Sequence, residues 1–422
     1  MAEVIPLTDR SEPLASRVRA SAAGQDGRVF VLDCSGDAPG DLWSVWVAQA
    51  SEQVLLRLAA DARDGRRREP IVGVVKRLAR PTTASAWRDA FELAAVEAVR
   101  GVLGSAALEL AAEGVRANVI LLDERTSAGD LERSVRYLLD ERAAGFTTGV
   151  TIRLGAEGLG GSPGGASAAG AQRQSDAPRR ALVTGAAGGI GFATAQAFAA
   201  AEYQVIASDV DRPRLEAAAA RLGAVPLPLD VTDRQQLREV LQSEALNGGL
   251  QALVVAHGVA GARALRDLDR PFIQRNMAIN GTAVAALVEE LLPALERGAP
   301  STIGVVASQA GIKAEPQNAA YCAAKFAVVG LVRGLAPLLL PRGVRIHALC
   351  PGCVDTPLLA AALDGFARAS GIAEEEFRQR RAAGIPLRRF AAPDEMGAAM
   401  LFLCQLDQTG LVFAPSGGET LT

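Results

Sequence analysis

Residues 181–191 read ALVTGAAGGIG and lead straight into the helical run FATAQAFAAA, residues 192–201. A short apolar strand that ends in a glycine cluster and opens a helix lets the backbone turn sharply and lets an anion approach it closely. The free N–H groups and partial positive charge of the helix N-terminus then face that anion. The next apolar run, QVIASD, ends at Asp209, one helix and one strand beyond Gly185, where a carboxylate accepts hydrogen bonds from an adenosine ribose. The stretch therefore predicts a dinucleotide site with Gly185, Gly188, Gly189, Ile190 and Gly191 under the pyrophosphate and Asp209 on the ribose. A carboxylate repels a 2'-phosphate, so NAD (NADH) is favoured over NADP, although Arg212 and Arg214 stand near enough in sequence to meet such a phosphate.

Outward from that turn, short β-type runs alternate with helical patterns: a helix from Pro213 to about Leu222, VPLPLD, ALVVAHG, a long helix through Asn280, TIGVVAS, the Tyr321 helix, VRIHALCPG, a lid-like helical region and LVFAPSGG. Buried strands separated by helices imply a parallel sheet covered on both faces. The fold class is α/β, a doubly wound, Rossmann-type parallel sheet of about seven strands within residues 179–422. Residues 155–178 are rich in Gly, Ala and Ser without apolar periodicity and read as a flexible linker. Residues 1–154 show the same rhythm from RVFVLD (28–33) onward, through a helix from about Leu42 to Ala62, PIVGVV, the Glu92 helix, VRANVILLD, a helix near Leu131–Leu139 and TTGVTIRL. The stretch before Arg28 is too short for a nucleotide-binding front end, so the upstream domain is expected to be a smaller, partial Rossmann-like copy.

Composition excludes several classes. At 422 residues and a formal charge of -3, with both signs interspersed, the chain has neither a nucleic-acid footprint nor an attraction to anionic membranes. Five cysteines suit a reducing compartment, and neither a signal-peptide core nor about 18 uninterrupted apolar residues occurs, so a cytoplasmic location is expected. CPGC, Cys350–Cys353, has no second Cys/His pair to complete a zinc site, and no metal is expected.

Tyr321 and Lys325 are four apart in a helical pattern and share a face, bringing an ammonium beside a phenol. An isolated phenol near pKa 10 is a poor acid-base group at neutral pH, and a neighbouring positive charge favours its phenolate. Tyr321 is the expected general acid and base. Ser308, upstream of it at a strand's C-terminal end, would orient a carbonyl or alcohol.

TGAAGGIG with AAYCAAK and PGCVDTP resembles the short-chain dehydrogenase/reductase family over about residues 179–422. The resemblance implies catalytic roles for Asn280, Ser308, Tyr321 and Lys325, with Asn280 anchoring a proton-relay water and Lys325 also on the nicotinamide ribose. It further implies cofactor contacts from Asp230 and Val231 at the adenine, and from Pro351, Gly352, Val354 and Thr356 beside the nicotinamide. One motif departs: the family's Asn-Asn-Ala-Gly reads VAHG (255–258), which makes His257 a structural replacement. The stretch from Pro357 to Phe390 is expected to form a helical lid. Leu358, Leu359, Leu363 and Phe366 would line an apolar pocket, and Arg380, Arg381, Arg388 and Arg389 are available to an acyl carrier's phosphates.

Residues 92–120 repeat residues 321–349, with 10 of 29 positions identical, but Glu92 and Val96 stand where Tyr321 and Lys325 stand, and Arg77 falls near the serine position. The upstream copy can move no proton in this way. In the resembled family subunits pair through the tyrosine-bearing helix and the one before it, so the copy is expected to form an intrachain pseudo-dimer, with a homodimer as the assembly. Ala95, Val99, Leu103 and Ala106 are expected to meet Ala324, Val328 and Leu331. The layout is similar to high-molecular-weight 3-oxoacyl-ACP reductases. The expected activity is interconversion of a secondary alcohol and a ketone, with acyl thioesters as one substrate class. The alternatives are a non-catalytic NAD-binding scaffold or sensor, and a dehydrogenase of cyclic or steroid-like alcohols whose upstream half recruits a partner.

Overall fold

The computed structural model describes residues 3–6, 12–21, 28–33, 52, 54, 56, 71–76, 94, 96–106, 115, 117–122, 128–139, 151–153, 178–385, 389–405 and 409–416. The chain divides into two compact units, one of residues 1–165, 261–277 and 313–330, the other of residues 166–260, 278–312 and 331–422. The division of contacts is not the division drawn at the linker, because two segments of the downstream half are counted with the upstream one. Of the linker itself, all but Pro178 lies outside the described residues.

The first unit contains β1 (Glu3–Pro6), α1 (Glu12–Ser21), β2 (Arg28–Asp33), β3 (Ile71–Lys76), α2 (96–106), β4 (Ala117–Leu122), α3 (Ala128–Leu139) and β5 (Thr151–Arg153). Its strands are parallel in the order β1-β2-β3-β4-β5. Strand alternation builds the core. Val29, Val31, Val72, Val74, Ile120 and Leu122 turn to one face, where Leu14 and Val18 of α1 and Leu131, Val135 and Leu138 of α3 cover them. Gly73 turns the other way, toward Leu103 and Val99 of α2; a Cβ there would lie 3.7 Å from Val99 Cγ1 and would collide with Leu103.

Two corrections concern this unit. The strand-and-helix rhythm, expected from RVFVLD onward, begins earlier: β1 and α1 lie before Arg28, and β1 pairs with β2. The strand EVIP is too short for a period to be counted in sequence. The second concerns α2, whose Val99 and Leu103 face their own sheet. Its small residues face the segment 314–326 instead: a Cβ on Gly101 would stand 2.8 Å from the Phe326 ring and 2.9 Å from the Cys322 carbonyl oxygen, and one on Gly104 would stand 2.8 Å from Ala314. Large apolar side chains gain most where a sheet buries them, and glycine is the residue that lets a second backbone come close. Ala95 and most of the expected helix 42–62 lie outside the described residues; positions 52, 54 and 56 are helical.

The second unit carries β6 (Arg180–Thr184), α4 (Gly189–Ala200), β7 (Gln204–Asp209), α5 (Arg212–Leu222), β8 (Val225–Pro228), α6 (Arg234–Leu241) and β9 (Ala252–Val255). Next along the chain is α7 (Arg270–Met277), counted with the first unit, then a π-helical turn (Ala278–Thr282), α8 (Ala283–Arg297) and β10 (Ser301–Val306). The long α9 (Ala319–Leu339), whose start is counted with the first unit, leads to β11 (Val344–Leu349), α10 (Pro357–Ser370), α11 (Glu374–Gly384), α12 (Pro393–Gln405) and β12 (Val412–Phe413). The parallel sheet has the order β12-β11-β10-β9-β6-β7-β8 around a core that includes Phe198, Leu215, Val254, Met400 and Leu403. The order reverses at β6, flanked by β7 and β9, and such a switch point opens a crevice at the strands' C-terminal ends. Helices α6 and α12 were not legible in the sequence. The stretches Arg270–Arg297 and Ala319–Arg342 have the length and hydropathy of membrane spans, and both are mostly buried inside the fold, as core helices are.

Candidate active site

The glycine turn follows from its residue types. Gly185 has φ 67°, a conformation that carries a steric cost for other L residues, and a Cβ on it would also stand 2.9 Å from the Ala256 backbone. Gly188 is the N-cap of α4 without a side-chain cap bond, and the first turn, which holds Gly189, Ile190 and Gly191, carries no acidic residue. The N-terminal N–H groups of α4 are thus presented without a competing carboxylate. Thr356 lies beside this turn, 3.4 Å from where a Cβ on Gly189 would be, and Arg214 Nη2 lies 2.9 Å from the equivalent point on Gly188.

Asp209, half-buried at the end of β7, accepts the Ala187 N–H (3.1 Å) on one carboxylate oxygen and the Asp211 N–H (3.1 Å) on the other. The strand end and the glycine turn are clasped by the residue expected to select the ribose. Asp230 is held locally: one carboxylate oxygen accepts from the Thr232 N–H (2.9 Å) and hydroxyl (2.6 Å), and the Asp230 N–H donates to Gln236 Oε1 (3.0 Å). Val231 follows it, half-buried.

His257 has two partners that explain its presence. Its Nε2 lies 3.1 Å from the Ile279 carbonyl, which can only accept, and its Nδ1 lies 2.9 Å from the Thr184 hydroxyl. The ring bridges the end of β6 to the π turn. In that turn Asn280, fully buried, accepts the Val259 N–H (3.0 Å) and donates to the Val259 carbonyl (3.1 Å). Its side-chain amide is occupied in shaping the loop after β9.

Ser308 is half-buried and caps the turn Gln309–Gly311, accepting the Ala310 N–H at 3.1 Å. The Gln309 N–H donates to the Pro351 carbonyl (2.8 Å), which brings the serine loop to the Pro351–Gly352 turn. Gly352 is tied to Pro415 (N–H to carbonyl, 3.1 Å), Val354 is buried and bridges Ala391, and Thr356 N-caps α10 through the Leu359 N–H (3.2 Å). Asp355 next door pairs with Arg378 of α11 at 2.8 Å, and this hydrogen bond raises the Arg378 pKa. Phe377 of the same helix stacks on Phe366 of α10, with ring centroids 5.9 Å apart.

Tyr321 and Lys325 lie one turn apart on the part of α9 counted with the first unit. Tyr321 is half-buried and Lys325 is 3 % exposed, with its Nζ 5.6 Å from the tyrosine ring centroid. The ammonium is thus beside the tyrosine ring, as the four-residue spacing on one helix face predicts. Burial pushes the neighbouring Cys322 thiol up, away from nucleophilic use. Gly261 is a contact the sequence did not signal: a Cβ there would collide with the Tyr321 Cβ and stand 2.7 Å from Asn276 Oδ1.

Other expectations are redistributed. Leu363 is packing, 1 % exposed, whereas Leu358 is exposed. Arg380 pairs with Glu376, Arg389 forms two bonds of 2.7 Å to Glu395, and Arg388 lies outside the described residues. Cys350 and Cys353 are thiols rather than halves of a disulfide. Among the described residues no group of three or more His, Cys, Asp or Glu gathers to hold a metal ion. A cavity of about 420 Å³ opens beside Gly352 and Cys353, lined by Ile385, Met396, Phe413 and the Arg389–Glu395 pair.

Comparison with known proteins bears on the same region. Residues 185–414 match the family model described as enoyl-(acyl carrier protein) reductase. The chain is similar to 2-(S)-hydroxypropyl-CoM dehydrogenase 3 of Xanthobacter autotrophicus, 35% identical over 248 residues that cover 56% of this chain and 95% of that one. It is similar to a 3-oxoacyl-[acyl-carrier-protein] reductase of Thermotoga maritima, 29% identical over 56% of this chain and 96% of the relative. Among solved structures, an actinorhodin polyketide ketoreductase variant with NADPH matches with TM-score 0.55 and 26% identity, over 57% of this chain and 96% of that one.

Proposed function

The chain belongs to the short-chain dehydrogenase/reductase family, and on that premise we propose that it interconverts a secondary alcohol and a ketone with NAD(H), using Tyr321 as the acid-base group. A nicotinamide cofactor, when bound, supplies or accepts the hydride. The residues present fit it: an uncapped helix N-terminus behind a glycine turn for the pyrophosphate, and an oriented carboxylate at the end of β7 for the ribose. Tyr321 gives its proton to the carbonyl oxygen in reduction and takes it back in oxidation. Lys325 holds the phenol in range of that task, Ser308 orients the substrate oxygen, and Asn280 keeps the loop after β9 in shape.

The observation that carries this reading is the buried Lys325 ammonium 5.6 Å from the Tyr321 ring. NAD rather than NADP is supported by Asp209. The Arg214 guanidinium over Gly188 pulls the other way, so the cofactor preference rests on which of the two charges dominates. An acyl thioester substrate is supported by the 3-oxoacyl reductase among the relatives, but not by the lid arginines, of which Arg380 and Arg389 are held by glutamates. The buried thiols of Cys322, Cys350 and Cys404 suit a reducing, cytoplasmic compartment. For the upstream half we propose the role of a permanently tethered, catalytically inactive partner, with a homodimer of such chains as the assembly.

The deciding experiment measures NADH-dependent reduction and NAD-dependent oxidation over 3-oxoacyl thioesters, small hydroxy compounds and cyclic alcohols, for wild type and Tyr321→Phe. Turnover that vanishes in the variant while NADH still binds supports the reading. Unimpaired turnover overturns it.

A further inference from the structure

Inside the first compact unit, α2 reaches the support of Tyr321 with a polar group as well as with glycines. Ser105, fully buried, donates its hydroxyl to the Glu315 backbone carbonyl. Glu315 accepts the Asn318 side-chain amide on its carboxylate (2.9 Å), and the Asn318 carbonyl accepts the Cys322 N–H (2.8 Å), which closes the first turn of α9. A line of hydrogen bonds thus runs from the upstream half to the turn that carries Tyr321.

A second attachment reaches the other flank. Glu52, 10 % exposed at its side chain, forms an ion pair with Arg270, the first residue of α7. Asn276 of α7 and Tyr321 both lie against Gly261, where an added Cβ would collide with the Tyr321 Cβ and stand 2.7 Å from Asn276 Oδ1. On α2 it is Val99 and Leu103 that face the five-stranded sheet at Gly73, whereas Ser105 reaches Glu315. Ser105 and Glu52 each spend a buried polar group on an element next to Tyr321. Buried polar groups are costly unless satisfied, so placing both where they brace one side chain is informative.

We infer that Ser105 and Glu52 are positioning residues: the inactive half fixes the place of Tyr321 through the Glu315 loop on one side and α7 on the other. The inference rests on the reading of Tyr321 as the acid-base group. Displacement of a reacting group by about 1 Å costs up to about a hundredfold in rate. Partial loosening is therefore expected to lower kcat on the order of tenfold and to leave KM and the NADH dissociation constant within about twofold.

The test uses the full chain. Ser105→Ala removes the hydroxyl and Ser105→Thr keeps one; Arg270→Gln removes the charge facing Glu52 and Arg270→Lys keeps it. Expected is a selective fall in kcat for the Ala and Gln variants, with recovery in Thr and Lys. Should the crowded Ser105 site reject Thr, the Arg270 pair decides, since that side chain is 63% exposed and tolerates exchange. Wild-type kcat in both Ser105→Ala and Arg270→Gln overturns the inference, and so does a loss of kcat, KM and NADH affinity in step with the melting midpoint. Tyr321→Phe assayed alongside separates the two readings. If it is inactive while the other variants are wild type, the positioning role alone fails; if it is active, the acid-base assignment fails first.

Discussion

The two sheets of this chain use one rhythm of parallel strands and covering helices, yet only one of them reverses its strand order. The five-stranded sheet runs β1-β2-β3-β4-β5, whereas the seven-stranded sheet passes through β9-β6-β7 and so has strands on both sides of its first. Stripped of β7 and β8, the larger sheet would run β6-β9-β10-β11-β12, the same monotonic order as the smaller. Among the described residues the smaller sheet has no counterpart to those two strands. It follows that the capacity to hold a dinucleotide resides less in the helices and strands the halves share than in the strand pair that creates the crevice and brings Asp209 to it. The second difference is in side chains: Lys325 is a buried charge, and its counterpart Val96 is buried and apolar.

The largest expected effect tests that difference directly. Tyr321→Phe removes one oxygen and should lower turnover on the order of a hundredfold or more while NADH binding persists. Val96→Ala in the repeat should leave turnover intact and cost stability only, on the scale of a small core truncation. Steady-state kinetics and cofactor titration on both variants check the contrast. Equal losses of turnover would mean that the copies are not divided into active and inactive.

The contact between the copied helices comes next in size. Gly101→Val would press a branched side chain into the Phe326 ring and the Cys322 carbonyl, and overpacking of this kind costs about 1–3 kcal/mol. Thermal melting should show a lowered midpoint, with a fall in kcat through α9. Charge at Val99, the test the helical pattern alone suggests, would destabilise whether or not the copies met, because Val99 packs toward Gly73 of its own sheet. Wild-type melting and activity in Gly101→Val would break the pairing.

That difference marks how far the sequence could be read. The doubly wound class, the glycine turn and the shared helix of Tyr321 and Lys325 were legible because each follows from a local rule of period, spacing or φ, whereas the strand order and the clasp that Asp209 makes with Ala187 and Asp211 were not. The α2 face was not: Gly101, Gly104, Val99 and Leu103 all read as small or apolar, and which side meets the sheet depends on Gly73, a position whose importance lies in the side chain it lacks. Likewise Ser105, Glu52 and Gly261 carry no motif. Their partners are distant in sequence, and only the folded chain brings them together. His257 was visible as a departure, but its bridge from Thr184 to Ile279 needed coordinates.

Cofactor choice gives a smaller effect. Asp209→Ser removes the charge that repels a 2'-phosphate and leaves Arg214 over Gly188, so the ratio of kcat/KM for NADPH to that for NADH should rise about tenfold or more, equivalent to about 1.4 kcal/mol. Arg214→Ala in the same background should cancel most of the gain. If wild type already prefers NADPH, Arg214 rather than Asp209 governs the ribose end.

The smallest effect lies at the start of α12, for which the smaller sheet's α3 has no described equivalent of the same charge pair. Glu395 accepts two bonds from Arg389 and a third from the Ala392 N–H (2.7 Å), and the Arg389 bonds chiefly lower its pKa from 4.5 to about 2. A carboxyl whose folded value lies below its unfolded one stabilises the fold fully above the unfolded value and loses that contribution as pH falls through the folded one. The window for this group therefore runs from about pH 4.5 down to about pH 2. Both side chains are about half exposed, so solvent and salt screen the pair, and the change in melting midpoint should be no more than a few degrees. Glu395→Gln should lower the midpoint slightly at pH 7, match wild type near pH 2, and narrow its deficit in 1 M salt. A deficit that persists unchanged at low pH would show that the side chain acts by its shape at the helix start, and that the charge on it is incidental.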